Sequence, residues 1–168
     1  MNYLKRYSKL FLFIICTALF SSAMAFADVI SGEIRKEITV PNINDIKIPD
    51  NEKKYSTGAI FAYNKGIEEY KLTNYDKAIE SFQSAIKQDD RFSDAYFNLG
   101  ILYDYFDNPK EAIIAFNRAY ITNKKDYEAL YYMIKCYVIL GDSVAAESYA
   151  KKIPKDSEFF TKAQELFK

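Results

Sequence analysis

An internal repeat of constant period is the feature of this sequence that most restricts its fold. The repeat emerges when residues 59–92, 93–126 and 127 onward are aligned, and the alignment needs no gap. The coinciding positions are Gly66 with Gly100, Ala78 with Ala112 and Ala146, Phe82 with Phe116, and Ala85 with Ala119. Such a period indicates one supersecondary unit stacked on copies of itself, because each unit buries its apolar face only against a neighbour.

Each repeat is predicted to contain two helices, and the middle repeat shows them best. Four of its residues follow the i, i+3, i+4, i+7 spacing of a single helix face, namely Tyr96, Leu99, Gly100 and Tyr103. A second apolar stripe follows after residue 108, formed by Ala112, Ile113, Phe116, Ala119 and Tyr120. The two stripes predict a helical hairpin with a short turn.

Capping residues recur at the same register. Asn74, Asn108 and Asp142 stand one repeat period apart, and each is predicted to be the N-cap of a second helix. Pro109 suits the first position of a helix, where its missing N–H costs nothing. Ser93 is predicted to cap the first helix of the middle repeat.

The glycine and alanine positions predict close contact between the two helices of a hairpin. Gly66 and Gly100 lie on first helices, where the absence of a side chain lets another helix approach. Phe82 and Phe116 lie on second helices and are expected to fill the remaining space.

The repeated helix–turn–helix unit resembles the tetratricopeptide repeat in its period and residues over about 59–153. The matching residues of the middle repeat are Tyr96, Leu99, Gly100, Tyr103, Ala112, Phe116 and Ala119. The outer repeats depart from the pattern, as expected for terminal units; examples are Lys65 in the first and Ile134 in the third. The resemblance implies an all-α fold, a right-handed superhelix (an α-solenoid) of three repeats over 56–153. A C-terminal capping helix is predicted in 154–168, started by Asp156 and Ser157.

Residues 1–27 are predicted to be a signal peptide. Lys5, Arg6 and Lys9 precede an apolar stretch over 10–20, and residues 25–27 (Ala-Phe-Ala) form a cleavage site. Residues 23–25 (Ala-Met-Ala) form a second one, so cleavage two residues earlier is the alternative. Cleavage would leave residues 28–168 with a net charge of −3 and one cysteine, Cys136, which is expected to be buried. The expected location is periplasmic or secreted; the alternative is a membrane anchor formed by the uncleaved segment.

Residues 28–55 are predicted to be an extended linker. Their aliphatic residues lack helical spacing, and Pro41 and Pro49 interrupt them. Two hypotheses remain open for residues 37–48: they dock on the repeat surface or pair with a partner, or they form a loosely ordered tether.

The family resemblance implies that first helices line a concave face, which gives the candidate partner-binding residues. They are Tyr63, Ile67, Tyr70, Phe97, Ile101, Tyr105, Tyr131, Lys135 and Val138. Exposed aromatic rings in a groove are typical anchors for peptides. Each ring here either binds a partner or packs between helices, and the sequence leaves both open.

A carboxylate clamp is the family's best-known device for binding peptides, and this sequence matches it only at Asn98. Tyr63, Ile67, Glu128 and Tyr132 stand where the clamp would place its basic groups and its other asparagine. Recognition of a partner's C-terminal carboxylate by this device is therefore not expected.

The composition argues against catalysis and against nucleic acid as a partner. Histidine is absent, and 23 basic residues balance 23 acidic ones. Neither a phosphate-binding loop nor a metal-binding motif is found, so no cofactor, metal or catalytic residue is predicted. We expect an exported, non-catalytic scaffold that binds a protein or peptide on its concave face, with membrane contact limited to export or peripheral association. The alternative is a structural, self-associating module, a homo-oligomer, of an envelope assembly.

Overall fold

The computed structural model describes residues 46–47 and 54–168, all of which lie in the second of the two units into which the chain divides, Val40–Lys168. Seven helices form the described part: α1 (Thr57–Lys71), α2 (Tyr75–Gln88), α3 (Ser93–Tyr105), α4 (Pro109–Thr122), α5 (Tyr127–Ile139), α6 (Ser143–Ala150) and α7 (Glu158–Glu165). No strand occurs among these residues. The predicted all-α solenoid is confirmed. The predicted signal peptide, 1–27, and most of the predicted linker lie outside the described residues.

Glycine–phenylalanine contacts hold the first two hairpins together. A Cβ atom added to Gly66 would lie 2.6 Å from a ring carbon of Phe82, and one added to Gly100 would lie 2.5 Å from the ring of Phe116. Both rings are completely buried. The rings lie directly on the glycines, so the spacing of the helices depends on the missing side chain.

The N-cap residues of the second helices recur at the same position of each repeat, but their side-chain hydrogen bonds differ. Asn74, Asn108 and Asp142 are the N-caps of α2, α4 and α6, as predicted. The Asp142 side chain accepts a hydrogen bond from the Ala145 N–H at 3.0 Å, whereas the two asparagine side chains make no such bond. The Asn74 amide instead donates to Glu69 Oε2 at 2.8 Å.

The prediction that Ser93 caps α3 is wrong. Phe92 is the N-cap, and Ser93 is the first residue of the helix. Its hydroxyl lies 3.4 Å from the Tyr55 hydroxyl, so it bonds to the segment before α1. Ser157 is confirmed as the cap of α7, because its side chain accepts from the Phe159 N–H at 3.3 Å.

Each turn between the helices of a hairpin contains a residue with positive φ. These residues are Thr73 (φ 61°), Asp107 (φ 56°) and Gly141 (φ 74°), which again share one register of the repeat. Glycine adopts this conformation freely, while a β-branched residue such as threonine is strained in it. The turn is thus a property of the repeat, and the first repeat forms it with an unfavourable residue.

The C-terminal part closes the stack. On α7, Ala163 is buried, and the Phe159 ring lies 6.1 Å from the ring of Tyr131 on α5. Cys136 is buried as expected, and burial, aided by the neighbouring Asp104, raises the pKa of its thiol to about 12. Within residues 46–47 and 54–168, no helix is long and apolar enough to cross a membrane.

Candidate functional site

The candidate site is a surface of the first helices on which the chain's own residues Ile46 and Lys47 lie. We call it the first-helix groove, because every residue that forms it belongs to α1, to α3, or to the start of α5. Its residues are Tyr63, Asp94, Phe97, Asn98, Asp126 and Glu128.

Asn98 binds the main chain of Lys47. The Lys47 N–H donates to Asn98 Oδ1 at 2.9 Å, and Asn98 Nδ2 donates to the Lys47 carbonyl at 3.1 Å. A residue presents its own N–H and C=O on the same side when its backbone is extended, as in a strand. The Asn98 amide therefore pairs with an extended backbone and needs no particular side chain from it.

Tyr63 supports the same contact from α1. Its hydroxyl donates to the Lys47 carbonyl and accepts from Asn98 Nδ2 at 2.7 Å. Both side chains are completely buried, and the Tyr63 ring stacks on Phe92 at 4.5 Å between ring centroids. Burial raises the pKa of Tyr63 well above its ordinary value, so the hydroxyl keeps its proton at neutral pH.

The Lys47 ammonium group lies in an acidic and aromatic environment. Its nitrogen is 2.6 Å from Asp126 Oδ1 and 3.5 Å from Glu128 Oε2, and it lies 4.0 Å from the centroid of the Phe97 ring. A lysine held at this distance from carboxylates and a ring face is stabilised by ion pairing and by a cation–π interaction.

Asp94 adds a third carboxyl group to the groove, beside those of Asp126 and Glu128. Burial raises the pKa of Asp94 and that of Glu128, while the positive charge of Lys47 opposes the rise at both and the charge of Asp126 adds to it. Lys54 also lowers the pKa of Asp94, and Lys162 that of Glu128. Lys47 itself forms ion pairs with Asp126 and Glu128, so a cationic ligand is favoured beside these carboxyl groups.

Asp126 retains an acceptor that Lys47 does not use. Its Oδ1 atom accepts from Lys47 and, at 3.0 Å, from the Ala129 N–H, which makes it the N-cap of α5. Its Oδ2 atom is buried and has no hydrogen-bond partner among the described residues. Asp126 also lines a cavity of about 300 Å³, together with Lys47, Glu128 and Phe159.

Five of the candidate residues are buried, which agrees with the alternative that they pack between helices. Tyr63 and Phe97 are completely buried, and Ile67, Tyr70 and Ile101 are at most 8% exposed. Lys47 contacts the first two, and all five belong to the apolar clusters between the helices. Their role in binding a partner stays a prediction.

The other four candidates are half-buried and take part in other contacts. The Tyr105 ring lies 5.1 Å from that of Tyr75, and Tyr131 lies beside Phe159. Lys135 forms an ion pair with Asp104 at 2.9 Å, and Val138 packs against the apolar cluster of the second and third repeats. The structure therefore brings Tyr63 and Phe97 together at Lys47, and leaves the half-buried candidates in other surroundings.

Sequence reasoning missed the acidic residues of the groove. Asp94 and Glu128 occupy the same register of the repeat, in the first turns of α3 and α5. This shared register was the available signal, and it places both carboxyl groups on the same side of the stack. In the described part of the chain, no group of three histidine, cysteine or acidic side chains is arranged to hold a metal ion.

Comparison with known proteins supports the repeat assignment. Residues 63–128 match the model of the tetratricopeptide repeat family. No curated protein sequence matches this chain significantly.

Solved structures with the same fold were found at low sequence identity. The structure of PcrH in complex with the chaperone binding region of PopB has a TM-score of 0.56 at 17% identity, covering 69% of this chain and 96% of that one. The Yersinia enterocolitica type III secretion chaperone SycD, in complex with a peptide of the translocator YopD, has a TM-score of 0.57 at 20% identity, covering 70% and 92%. A CopN–Scc3 complex gives 0.58 at 19% identity, covering 72% and 79%. At these identities the likeness establishes the fold.

Proposed function

We propose that this chain, whose residues 63–128 match the model of the tetratricopeptide repeat family, is a non-catalytic scaffold that binds an extended segment of a protein or peptide. The binding surface is the first-helix groove. The observation that carries the proposal is the pairing of the buried Asn98 amide with both main-chain polar groups of Lys47. A buried amide that is satisfied by an extended backbone is a ready receptor for another extended backbone.

Two groups of residues in the groove would recognise different parts of a ligand. Asn98 and Tyr63 bind the main chain, which every peptide has, whereas Asp126 and Glu128 bind a positive charge, which only some peptides have. Two of the similar structures, PcrH and SycD, are described as complexes with a chaperone binding region and with a peptide. A peptide ligand for this chain is consistent with them.

The chemistry of the chain supports a role without catalysis. Histidine is absent from the whole sequence, and the thiol of Cys136 is buried with its pKa raised to about 12. Such a thiol stays protonated at neutral pH and is a poor nucleophile.

The test is a selection of random displayed peptides on the full-length protein and on the Asn98→Leu variant. We expect the natural protein to enrich peptides, and the variant to bind them at least tenfold more weakly. Asn64→Leu is the matched control, because Asn64 is exposed on α1. Thermal melting followed by circular dichroism checks that both variants are folded. Failure to enrich any peptide, or equal binding by Asn98→Leu, would contradict the proposal.

A self-associating structural module is the second candidate function. The observation in its favour is that residues 46–47 bind the groove, so the same residues of a second copy would fit an emptied groove equally well. Light scattering of the full-length protein at micromolar concentration tests it, and a monomer would argue against it.

Export is part of the proposal and rests on the sequence of residues 1–27. The protein would be periplasmic or secreted, with an uncleaved membrane anchor as the alternative. Expression in a bacterium with two membranes, followed by intact mass measurement, tests it. Cleavage is expected to leave Asp28 at the N-terminus. A protein that keeps residues 1–27 in the membrane fraction would support the anchor instead.

A further inference from the structure

Residues 46 and 47 occupy the groove in the way that a ligand would. We infer that Ile46–Lys47 is an internal copy of the ligand, and that the partner is an extended segment with an aliphatic residue followed by a basic residue, which binds by displacing Ile46–Lys47. This inference rests on the proposed function and adds the class of ligand and its regulation.

The aliphatic position is specified by burial. Ile46 is only 6% exposed, and it belongs to the same buried cluster as Tyr55, Tyr63 and Ile67. A polar or charged side chain at this position would be placed among apolar groups without a partner, which is unfavourable. An aliphatic side chain is therefore required before the basic residue.

The basic position is specified by charge and by the aromatic ring. The carboxylate of Asp126 is almost completely buried, with its side chain 2% exposed, and it needs a cation to balance it. Glu128 and the face of Phe97 add to the attraction. An acidic residue in place of Lys47 would add a negative charge to a group of three carboxyl groups and would be repelled.

The internal ligand is incomplete, which leaves a partner an advantage. Lys47 satisfies one oxygen of Asp126 and leaves the buried Oδ2 without a partner among the described residues. Asp126 also lines a cavity of about 300 Å³. A guanidinium group presents its N–H donors as a planar fork that bonds both oxygens of a carboxylate. An arginine at the basic position is therefore expected to bind more tightly than lysine.

Covalent connection favours the internal segment in the absence of a partner. A tethered ligand acts at an effective concentration in the millimolar range when the tether is short. Ten positions separate Lys47 from Thr57, the first residue of α1. A free peptide must overcome this advantage, so weakening the internal segment should uncover the affinity of the groove.

The experiment uses three fluorescent peptides and two full-length proteins. The first peptide has the sequence of residues 40–53, and the others carry glutamate or arginine at the position of Lys47. The proteins are the natural chain and the double variant Ile46→Ser/Lys47→Ser. Fluorescence anisotropy measures the Kd of each pair. The matched control is Lys110→Ser/Ile114→Ser, which makes the same changes at exposed positions of α4.

The natural-sequence peptide is expected to bind the double variant at least tenfold more tightly than it binds the natural chain or the control. The arginine peptide should bind the double variant more tightly still, and the glutamate peptide should not bind. If the double variant does not fold, Lys47→Gln is used, since it keeps the backbone bonds to Asn98 and should still increase the affinity severalfold.

Three results would overturn the inference. They are equal Kd values for the natural chain and the double variant, equal binding of the lysine and glutamate peptides, and a dimer that dissociates in the double variant. The last would show that the segment comes from a second copy. If the random selection yields peptides without an aliphatic–basic pair that bind both proteins equally, the proposed function stands and this inference fails. If it yields none, the proposed function itself fails.

Discussion

The interior of the hairpins and the first-helix groove use the same helices but opposite chemistry. In the interior, Gly66 lies against Phe82 and Gly100 against Phe116, so an identical apolar contact recurs in successive repeats. In the groove, Asn98 is completely buried, whereas the first repeat has the exposed Asn64 at the same register and the third repeat has Tyr132. The period therefore predicts the contacts that hold the fold, whereas the proposed binding surface depends on Asn98, which is buried although Asn64 at the same register is exposed.

A single added methyl group is expected to destabilise the interior of the hairpins. Gly100→Ala places a Cβ atom 2.5 Å from the buried Phe116 ring, so we expect a loss of about 1–3 kcal/mol in the free energy of unfolding. The direction is opposite to the usual gain on replacing a helical glycine with alanine. Urea denaturation followed by circular dichroism measures it.

Gly58→Ala is the matched control for this prediction. The added Cβ atom would meet only the side-chain end of the exposed Gln88, which can move away. Its effect on the free energy of unfolding should be much smaller. If Gly100→Ala were as stable as the natural chain, the contact between glycine and ring would not set the helix spacing.

Acidification should weaken peptide binding to the groove and leave the packing of the hairpin interior unchanged. The pKa of Glu128 is raised above its ordinary value by burial, with Lys47 and Lys162 opposing and Asp126 adding to the rise. The attraction for a lysine is complete above this folded-state pKa and is lost as the pH falls through it, so the loss begins at a higher pH than for an ordinary glutamate. Peptide affinity for the Ile46→Ser/Lys47→Ser variant should fall roughly three- to tenfold between about pH 7 and pH 4.5.

Glu128→Gln separates this effect from general acid unfolding. The variant should bind more weakly at neutral pH and show a flatter pH profile, while its circular dichroism stays unchanged over the same range. An equally steep profile in the variant would assign the pH dependence to other groups.

The smallest effect on stability is expected in the turns. They share one backbone conformation, but the residue with positive φ differs from turn to turn. Thr73→Gly should stabilise the protein by about 0.5–1 kcal/mol, since a threonine with φ of 61° is strained and glycine is not. Asp107→Gly should gain less, because aspartate tolerates this conformation better. Thermal melting of both variants measures the gain. A loss of stability in Thr73→Gly would mean that its side chain compensates for the strain.

The sequence predicts the fold well because the fold depends on repeated local contacts. Ala78, Phe82 and Gly66 each reappear at the same register, and the helices follow from their spacing. The predicted N-cap positions 74, 108 and 142 are confirmed, while Ser93 fails because Phe92 precedes α3 in the capping position.

The site was less predictable because it is formed by contacts distant in sequence. Lys47 lies 79 residues before Asp126 and 51 before Asn98, and no local pattern specifies that pairing. The sequence left open whether Tyr63 and Phe97 bind a partner or pack between helices, and their surroundings depend on the same distant segment, since Lys47 contacts both. One hypothesis was that residues 37–48 dock on the repeats. Residues 46–47 do so, and the other residues of this segment lie outside the described part.

The most direct measurement is the hydrogen exchange of the Lys47 amide in the full-length protein, followed by NMR. Its N–H donates to the completely buried Asn98 side chain at 2.9 Å, so we expect exchange at least a hundredfold slower than in an unstructured peptide. The protection should disappear in Asn98→Leu and persist in the Asn64→Leu control. Exchange of the Lys47 amide at the unprotected rate in the natural chain would contradict the claim that the groove holds an extended backbone.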